Sequence, residues 1–171
     1  MIPNIFKLTD LWTFGAKPKI LFVSPEAAPF ARAGGLGEVM NSLPTALKKI
    51  GCDARVILPK YASIDAEKYQ FSKEAENMNL FPKDPKGLFV CNVLKYENKE
   101  EERPITYFLE NQEFYEKRAN IYGYGDDPVR WLLLCKGALE FLKQSAWKPD
   151  VIVAADWQRG FLPNLLKTVY S

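Results

Sequence analysis

"KILFVSPEAAPFARAGGLGEVMNSLPTALKKIGCDARVILP", from Lys19 to Pro59, decides the fold. Its first six residues form a continuous β-rich run, as expected of a strand covered on both faces. From Leu36 the apolar residues Val39, Met40, Leu43, Leu47 and Ile50 recur at helical spacing. Lys48 and Lys49 occupy the last turn and Gly51 is a natural stop. Pro44 interrupts the pattern and predicts a bend. Ala54–Pro59 is a second buried strand. Strand, helix and strand in about forty residues make a βαβ unit, hence a parallel sheet with a right-handed crossover.

Between the first strand and the helix stands "ARAGGLGEV", Ala31 to Val39, with Gly34, Gly35 and Gly37 framed by Arg32 and Glu38. Parallel sheets bind ligands at the carboxyl ends of their strands. Helix N-termini carry unpaired N–H groups that glycines let a phosphate approach. Arg32 would add a charge-assisted contact. The spacing is neither GxGxxG nor GxxxxGK[ST]. The residues alone therefore leave open an anion site or a merely tight loop-to-helix turn.

Working outward, Tyr61 to Lys86 is irregular and polar, which predicts surface loops with a short helix. "GLFVCNVLKYENK" and "RPITYFLEN" predict two strands of a hairpin insertion, joined by the mixed-charge turn Glu97–Arg103. "GDDPVRWLLLCKGALEFLKQSAW" predicts a buried helix, with Asp127 able to cap it and Pro128 at its first position. "DVIVAADWQRG" adds a strand and its turn, and "FLPNLLKTVYS" begins a last helix. Residues 1–18 read as an extension that packs on the domain or a partner, with no secretory cleavage pattern.

Composition narrows the chemistry. Lys+Arg 23 against Asp+Glu 21 is too balanced to suggest nucleic acid or an acidic membrane surface. No run reaches transmembrane length. Cys52, Cys91 and Cys135 lie far apart without CxxC spacing, which fits buried thiols in a reducing, cytoplasmic setting. Histidine is absent, so the usual zinc sets and any Ser-His or Cys-His pair are excluded.

The stretch quoted first resembles the start of bacterial glycogen synthases and plant starch synthases, which open with a strand, "SxExxPF", "K-x-GGLG-D-V" and an "LPxAL" helix. "YFLENQEFY", "IYGYGDDPVRW" and "PDVIVAADWQRGFLPNLLK" resemble later blocks of that family in order and spacing, so the likeness runs from Lys19 to Ser171. The resemblance implies an α/β fold: a three-layer Rossmann-like parallel sheet with a hairpin insertion, a truncated first domain of a GT-B glucosyltransferase. It implies retaining transfer of glucose from ADP-glucose or UDP-glucose to an α-1,4-glucan, with no cofactor and no metal. The glycine loop would approach the donor diphosphate.

On this resemblance the substrate-binding candidates are Arg32, Gly34, Gly35, Glu38, Tyr124 and Asp156, and Asp126 would face the acceptor side. Other roles stand beside these. Asp126 and Asp127 would cap a helix, Arg130 would serve a structural ion pair, and Tyr122 and Tyr124 would stack on sugars or simply pack. Asp156 and Trp157 would secure a turn.

The departures from the family are specific. Its lysine is Arg32 here, and its aspartate after the glycines is Glu38. Its "H-x-H-D-W" reads "V-A-A-D-W", so Val153 and Ala155 stand at the two histidine positions, and the catalytic contact expected at Ala155 is lost.

Two hypotheses follow: part of a synthase, inactive alone and completed by a chain carrying the missing domains or by a homo-oligomer; or a non-catalytic binding module of that descent. A generic dinucleotide-binding protein is the weaker reading, since no ribose-binding acid stands where that fingerprint needs one. The first strand should be flanked by Ala54–Pro59 and Val151–Ala155. The latter's outer edge should need a cover, supplied by the extension or another chain.

Overall fold

A computed structural model of the chain describes residues 17–97 and 102–170. Most of the predicted N-terminal extension and much of the charged turn lie outside them. Six strands form one sheet: β1 (Lys19–Val23), β2 (Asp53–Pro59), β3 (Ser72–Asn79), β4 (Val90–Tyr96), β5 (Ile105–Glu110) and β6 (Val151–Ala154), in the order β3-β4-β5-β2-β1-β6. β1 runs parallel to β2 and to β6, with Phe22 opposite Val56 and Val153. The expected flanking of β1 holds, and β6 is one of the two sheet edges among the described residues, β3 being the other.

Among the described residues there are three α-helices: α1 (Gly35–Lys49), α2 (Asp127–Gln144) and α3 (Phe161–Thr168). From β1 the chain crosses through α1 to β2 on one side. From β5 it crosses through α2 back over β2 and β1 to β6. Right-handed crossovers in opposite directions place α1 and α2 on opposite faces, giving three layers. The order of the strands reverses between β1 and β6, the switch point where ligands bind in open α/β sheets.

The sheet interior is apolar because β1, β2 and β5 are covered on both faces. Phe22, Val56, Ile57, Leu58, Phe108 and Leu109 are buried, and full burial of such a side chain stabilises by about 1.5–3 kcal/mol. α2 is buried nearly all round, as its composition predicts. It lies so close to β5 that a Cβ on Gly137 would meet Leu109 Cδ2 at 2.5 Å.

α1 differs from its sequence reading. Met40 is buried and Leu36 and Leu47 are half-buried, but Val39, Leu43 and Ile50 are exposed. The helix continues through Pro44, which is itself buried. Gly51, at φ 99°, takes the left-handed conformation that turns the chain into β2.

The segment expected to be loops with a short helix instead contains β3, antiparallel to β4. Its sequence, SKEAENMN, is polar on both faces and only Met78 is buried, so no period-2 signal exists to read. Register shifts and Asn77 at φ 56° interrupt the pairing, as edge strands commonly show. The β4–β5 hairpin forms as predicted.

Candidate functional site

The carboxyl ends of β1 and β6 meet the glycine loop and the segment before α2. Sequence reading missed the residue that organises them. Glu26, three residues past β1, is buried and accepts hydrogen bonds from Ala33 N–H at 2.7 Å and Gly34 N–H at 3.0 Å. Its other oxygen accepts from the Tyr122 hydroxyl at 2.6 Å. Burial pushes the Glu26 carboxyl up. The bonds from Tyr122, Gly34, Ala33 and Gly37 outweigh it and hold the group below the ordinary carboxylate range. Tyr122 moves the opposite way, raised by burial and by donating to an anion. The available signal was a carboxylate just past a buried strand and just ahead of a glycine cluster.

This carboxylate separates the roles of the glycines. A Cβ on Gly37 would stand 3.1 Å from Glu26 Oε2 and 3.3 Å from Arg32 Cγ, so a larger residue there would have to push these side chains back by a few tenths of an ångström. At Gly34 and Gly35 an added Cβ would meet nothing within 4 Å. Gly34 is the N-cap of α1 and makes no side-chain cap. The first-turn N–H groups of Gly35 and Leu36 have no intrahelical acceptor. Arg32 pairs with Glu38 at 2.6 Å on the exposed rim of the loop. An ion pair that exposed is worth about 0–1 kcal/mol, so a ligand could readily claim the guanidinium.

The second group of candidates surrounds the start of α2. Asp126 is the N-cap residue, and its carbonyl accepts from the N–H groups of Val129 and Arg130. Its carboxylate turns away from the helix to meet Arg118 Nη2 at 2.6 Å. The expected cap by Asp127 does not form either, because Asp127 lies inside the helix. Its carboxylate accepts from Gly123 N–H at 2.9 Å and pairs with the fully buried Arg130 at 2.6 Å. Arg130 is thus a structural ion-pair partner. The Tyr124 ring centre lies 5.0 Å from both the Arg118 and Arg130 guanidinium carbons, and its hydroxyl accepts from Asn120 N–H. Packing among cations accounts for its position.

Asp156, two residues past β6, sits at φ 74°, ψ 170°, a conformation almost confined to glycine, and its side chain accepts from Trp157 N–H at 2.7 Å. Such strain costs about 1–3 kcal/mol and concentrates at functional sites. Arg159, in the 3₁₀ turn that follows, is fully buried, yet Nε and Nη2 have no partner among the described residues. Burial drives its guanidinium below the ordinary arginine value against the pull of Asp156. Nothing in the sequence marked it out. Ala155 is half-buried at the strand end and offers only a methyl group. All three cysteines are buried, and burial pushes the Cys135 thiol up to about 12, far from a nucleophile's range. No described helix is long and apolar enough to cross a membrane.

Comparison with known proteins gives one consistent picture. Residues 19–171 match the model of the starch synthase catalytic domain. The chain is 42% identical over 156 residues to the glycogen synthase of Clostridium perfringens, covering 90% of this chain and 30% of that protein. It is 40% identical over 153 residues to the glycogen synthase of Geobacillus stearothermophilus, covering 89% and 30%. The catalytic domain of starch synthase IV from Arabidopsis thaliana, solved bound to ADP and acarbose, superposes with a TM-score of 0.78 at 29% identity, over 91% of this chain and 31% of that one. The chain thus spans about 30% of the length of the curated relatives it matches.

Proposed function

The chain belongs to the starch synthase catalytic-domain family, and from that premise we propose that it forms the N-terminal face of a nucleotide-sugar site. In the complete activity, glucose passes from ADP-glucose or UDP-glucose to an α-1,4-glucan. One observation carries the reading. At the sheet's switch point, Gly37 is closely packed by Glu26 and Arg32, whereas open space lies at Gly34 and Gly35. A diphosphate fits that space, with the N–H groups of Gly35 and Leu36 and the Arg32 guanidinium as donors. Glu26 orients the loop from behind by taking the N–H groups of Ala33 and Gly34. Glu38 holds Arg32 at the rim until the ligand arrives. On the same reading Asp126 would face the acceptor side, with Tyr124 and Asp156 as further substrate contacts.

On this reading the chain alone binds weakly, near the millimolar range or about 4 kcal/mol, and transfers nothing. Retaining transfer needs the donor gripped from a second domain with water excluded. Its β6 edge and the opposite face of the site would be supplied by the rest of a synthase fold, whether on this polypeptide or on a chain carrying those domains, or by a second copy. Ala155 favours a second reading, a non-catalytic binding module, since a methyl group cannot hydrogen-bond the reacting sugar. Losing a well-placed donor costs on the order of 10²–10³ in rate.

The test is to incubate the purified chain with ADP-[¹⁴C]glucose, and separately the UDP form, plus glycogen. The expected polymer carries no label above a buffer blank. Incorporation abolished by Arg32→Ala would overturn the claim that this face binds without transferring.

A further inference from the structure

α1 carries a second apolar line that the sheet does not use. Leu36, Met40, Pro44 and Leu47 make up the first, each buried or half-buried. Val39, Leu43, Ala46 and Ile50 recur at i, i+4, i+7 and i+11, which is one line along the outer surface of the helix. Val39 is 46% exposed, Leu43 43% and Ile50 58%, and Ala46 is exposed as well. Single exposed apolar residues need no explanation, but a continuous row of them marks a surface that something covers.

The place where the chain enters the fold says what lies within reach. Lys17 lines a cleft of about 420 Å³ together with Lys48 and Gly51, at the carboxyl end of α1. The Pro18 carbonyl accepts from the Asp53 N–H at 2.8 Å, just past that end. Residues 1–16, which lie outside the described residues, therefore join the fold beside Ile50, the last member of the row. Their sequence, MIPNIFKLTDLWTFGA, holds Ile5, Phe6, Leu8, Leu11, Trp12 and Phe14, with only Lys7 and Asp10 charged. Ile5, Leu8 and Trp12 recur at i, i+3 and i+7, the spacing of an apolar helix row. The reach suffices. α1 has 15 residues and is about 22 Å long, and 16 residues span about 24 Å even at the helical rise. β6, whose edge is the other place the sequence suggests for the extension, lies across β1 from the β2 end where Lys17 emerges. The family match begins at residue 19, so the extension stands apart from the fold shared with the relatives.

We propose that residues 1–16 dock along the outer face of α1, on the row Val39, Leu43, Ala46 and Ile50. Trp12 seats toward the Ile50 end, since only four residues separate it from Lys17, and Ile5 lies nearer Val39. The docking uses only the fold and is independent of the nucleotide-sugar reading.

The experiment compares the full chain with its variants by limited trypsin digestion, tryptophan emission, melting temperature and sedimentation. Leu43→Gln with Ile50→Gln removes the row, adds no tryptic site and keeps a good helix former at position 43. Trp12→Gln alters the extension instead, and Ser42→Gln, one residue off the row, is the control. Cleavage after Lys7 should be slow in the wild-type chain. The double variant should speed it at least tenfold and move the emission to longer wavelength, and Ser42→Gln should do neither. Trp12→Gln should speed the cleavage as the double variant does. Both should lower the melting temperature, and their combination should lower it little further, as for residues in contact.

Equal cleavage after Lys7 in the wild type and the double variant would overturn the proposal. Strictly additive losses of melting temperature would do the same, because the two surfaces would not touch. A double variant that turns a dimer into a monomer at an unchanged cleavage rate would make the row the contact of a second copy. A monomeric wild type cut freely after Lys7 would leave the row bare, for the rest of a synthase fold to cover. Either result would also overturn the docking.

Discussion

The two ends of the parallel sheet each hold an arginine, and the two are treated differently. At the amino ends, Arg55 is fully matched. Its Nε and Nη2 hold the Asp53 carboxylate at 2.9 and 3.0 Å, its Nη1 donates to the Tyr107 hydroxyl, and its guanidinium lies 4.2 Å from the Trp147 ring centre. Trp147 Nε1 donates to the same carboxylate at 2.7 Å. At the carboxyl ends, Arg159 is more deeply buried. Only Nη1 is bonded, to the adjacent Gln158 at 3.3 Å. A closed network serves stability. Unused donors, a strained Asp156 and glycines facing open space are the features on which the proposed ligand-binding end rests.

The largest effect expected from this contrast is at the closed end. Asp53→Ala would leave Arg55 and the Trp147 N–H without their shared acceptor and lower stability by about 2–3 kcal/mol in urea unfolding. That is below the cost for a fully buried pair, because the Asp53 side chain keeps 34% exposure. A loss under 0.5 kcal/mol would mean the amino end is not the stabilising one.

The glycines give the next largest effect. Gly37→Ala must displace Glu26 or Arg32 and should cost about 1–3 kcal/mol. Gly35→Ala meets nothing and gains helix propensity, so it should leave stability unchanged or raise it by up to about 1 kcal/mol. Equal losses at both positions would erase the distinction between packing and ligand glycines.

Acid titration probes both ends at once. Glu26 and Asp53 are both held below their ordinary values: burial opposes this, and their hydrogen bonds outweigh it. A depressed carboxylate contributes stability that is present above its unfolded pKa, roughly 4, and is lost as pH falls through the folded value. Stability should therefore fall below about pH 4–5. Tyr122→Phe should shrink the Glu26 share of that fall and leave the Asp53 share intact. An unchanged acid limb in Tyr122→Phe would show that the tyrosine does not tune Glu26.

The smallest expected change is the most discriminating about Arg159. Replacing an incompletely paired buried charge by an apolar side chain of similar length is often neutral or stabilising. Arg159→Met should stay within about 1 kcal/mol of wild type, or exceed it. Arg55→Met should lose about 2 kcal/mol, since Asp53 and Tyr107 lose their donor. Comparable losses at both arginines would mean Arg159 is as well matched as Arg55.

The fold was legible where burial left a pattern. The runs KILFV and DARVILP, the helix between them and the Val151–Ala154 strand were readable because a covered strand is apolar throughout and a βαβ unit has a minimum length. β3 was not, because a solvated edge strand has no buried face to write into its residues. The site was legible only in part. Glycines announce close approach but not what approaches: Gly37 serves Glu26 and Gly35 faces open space, yet the two read alike in sequence. Glu26 and Arg159 escaped notice, and Tyr122 read only as a stacking or packing ring, because their importance lies in contacts across many residues, such as Tyr122 with Glu26.

The central claim, that the glycine loop at the carboxyl end of β1 is an anion site and not merely a turn, has a direct test. ADP is titrated calorimetrically into the wild-type chain and into Gly35→Leu, with the melting temperature of each recorded. The account predicts at least tenfold weaker ADP binding in Gly35→Leu, a loss of about 1.4 kcal/mol; the added Cβ meets nothing within 4 Å, and the melting temperature checks that the rest of the side chain leaves the fold intact. Equal ADP affinity in the two chains would contradict it.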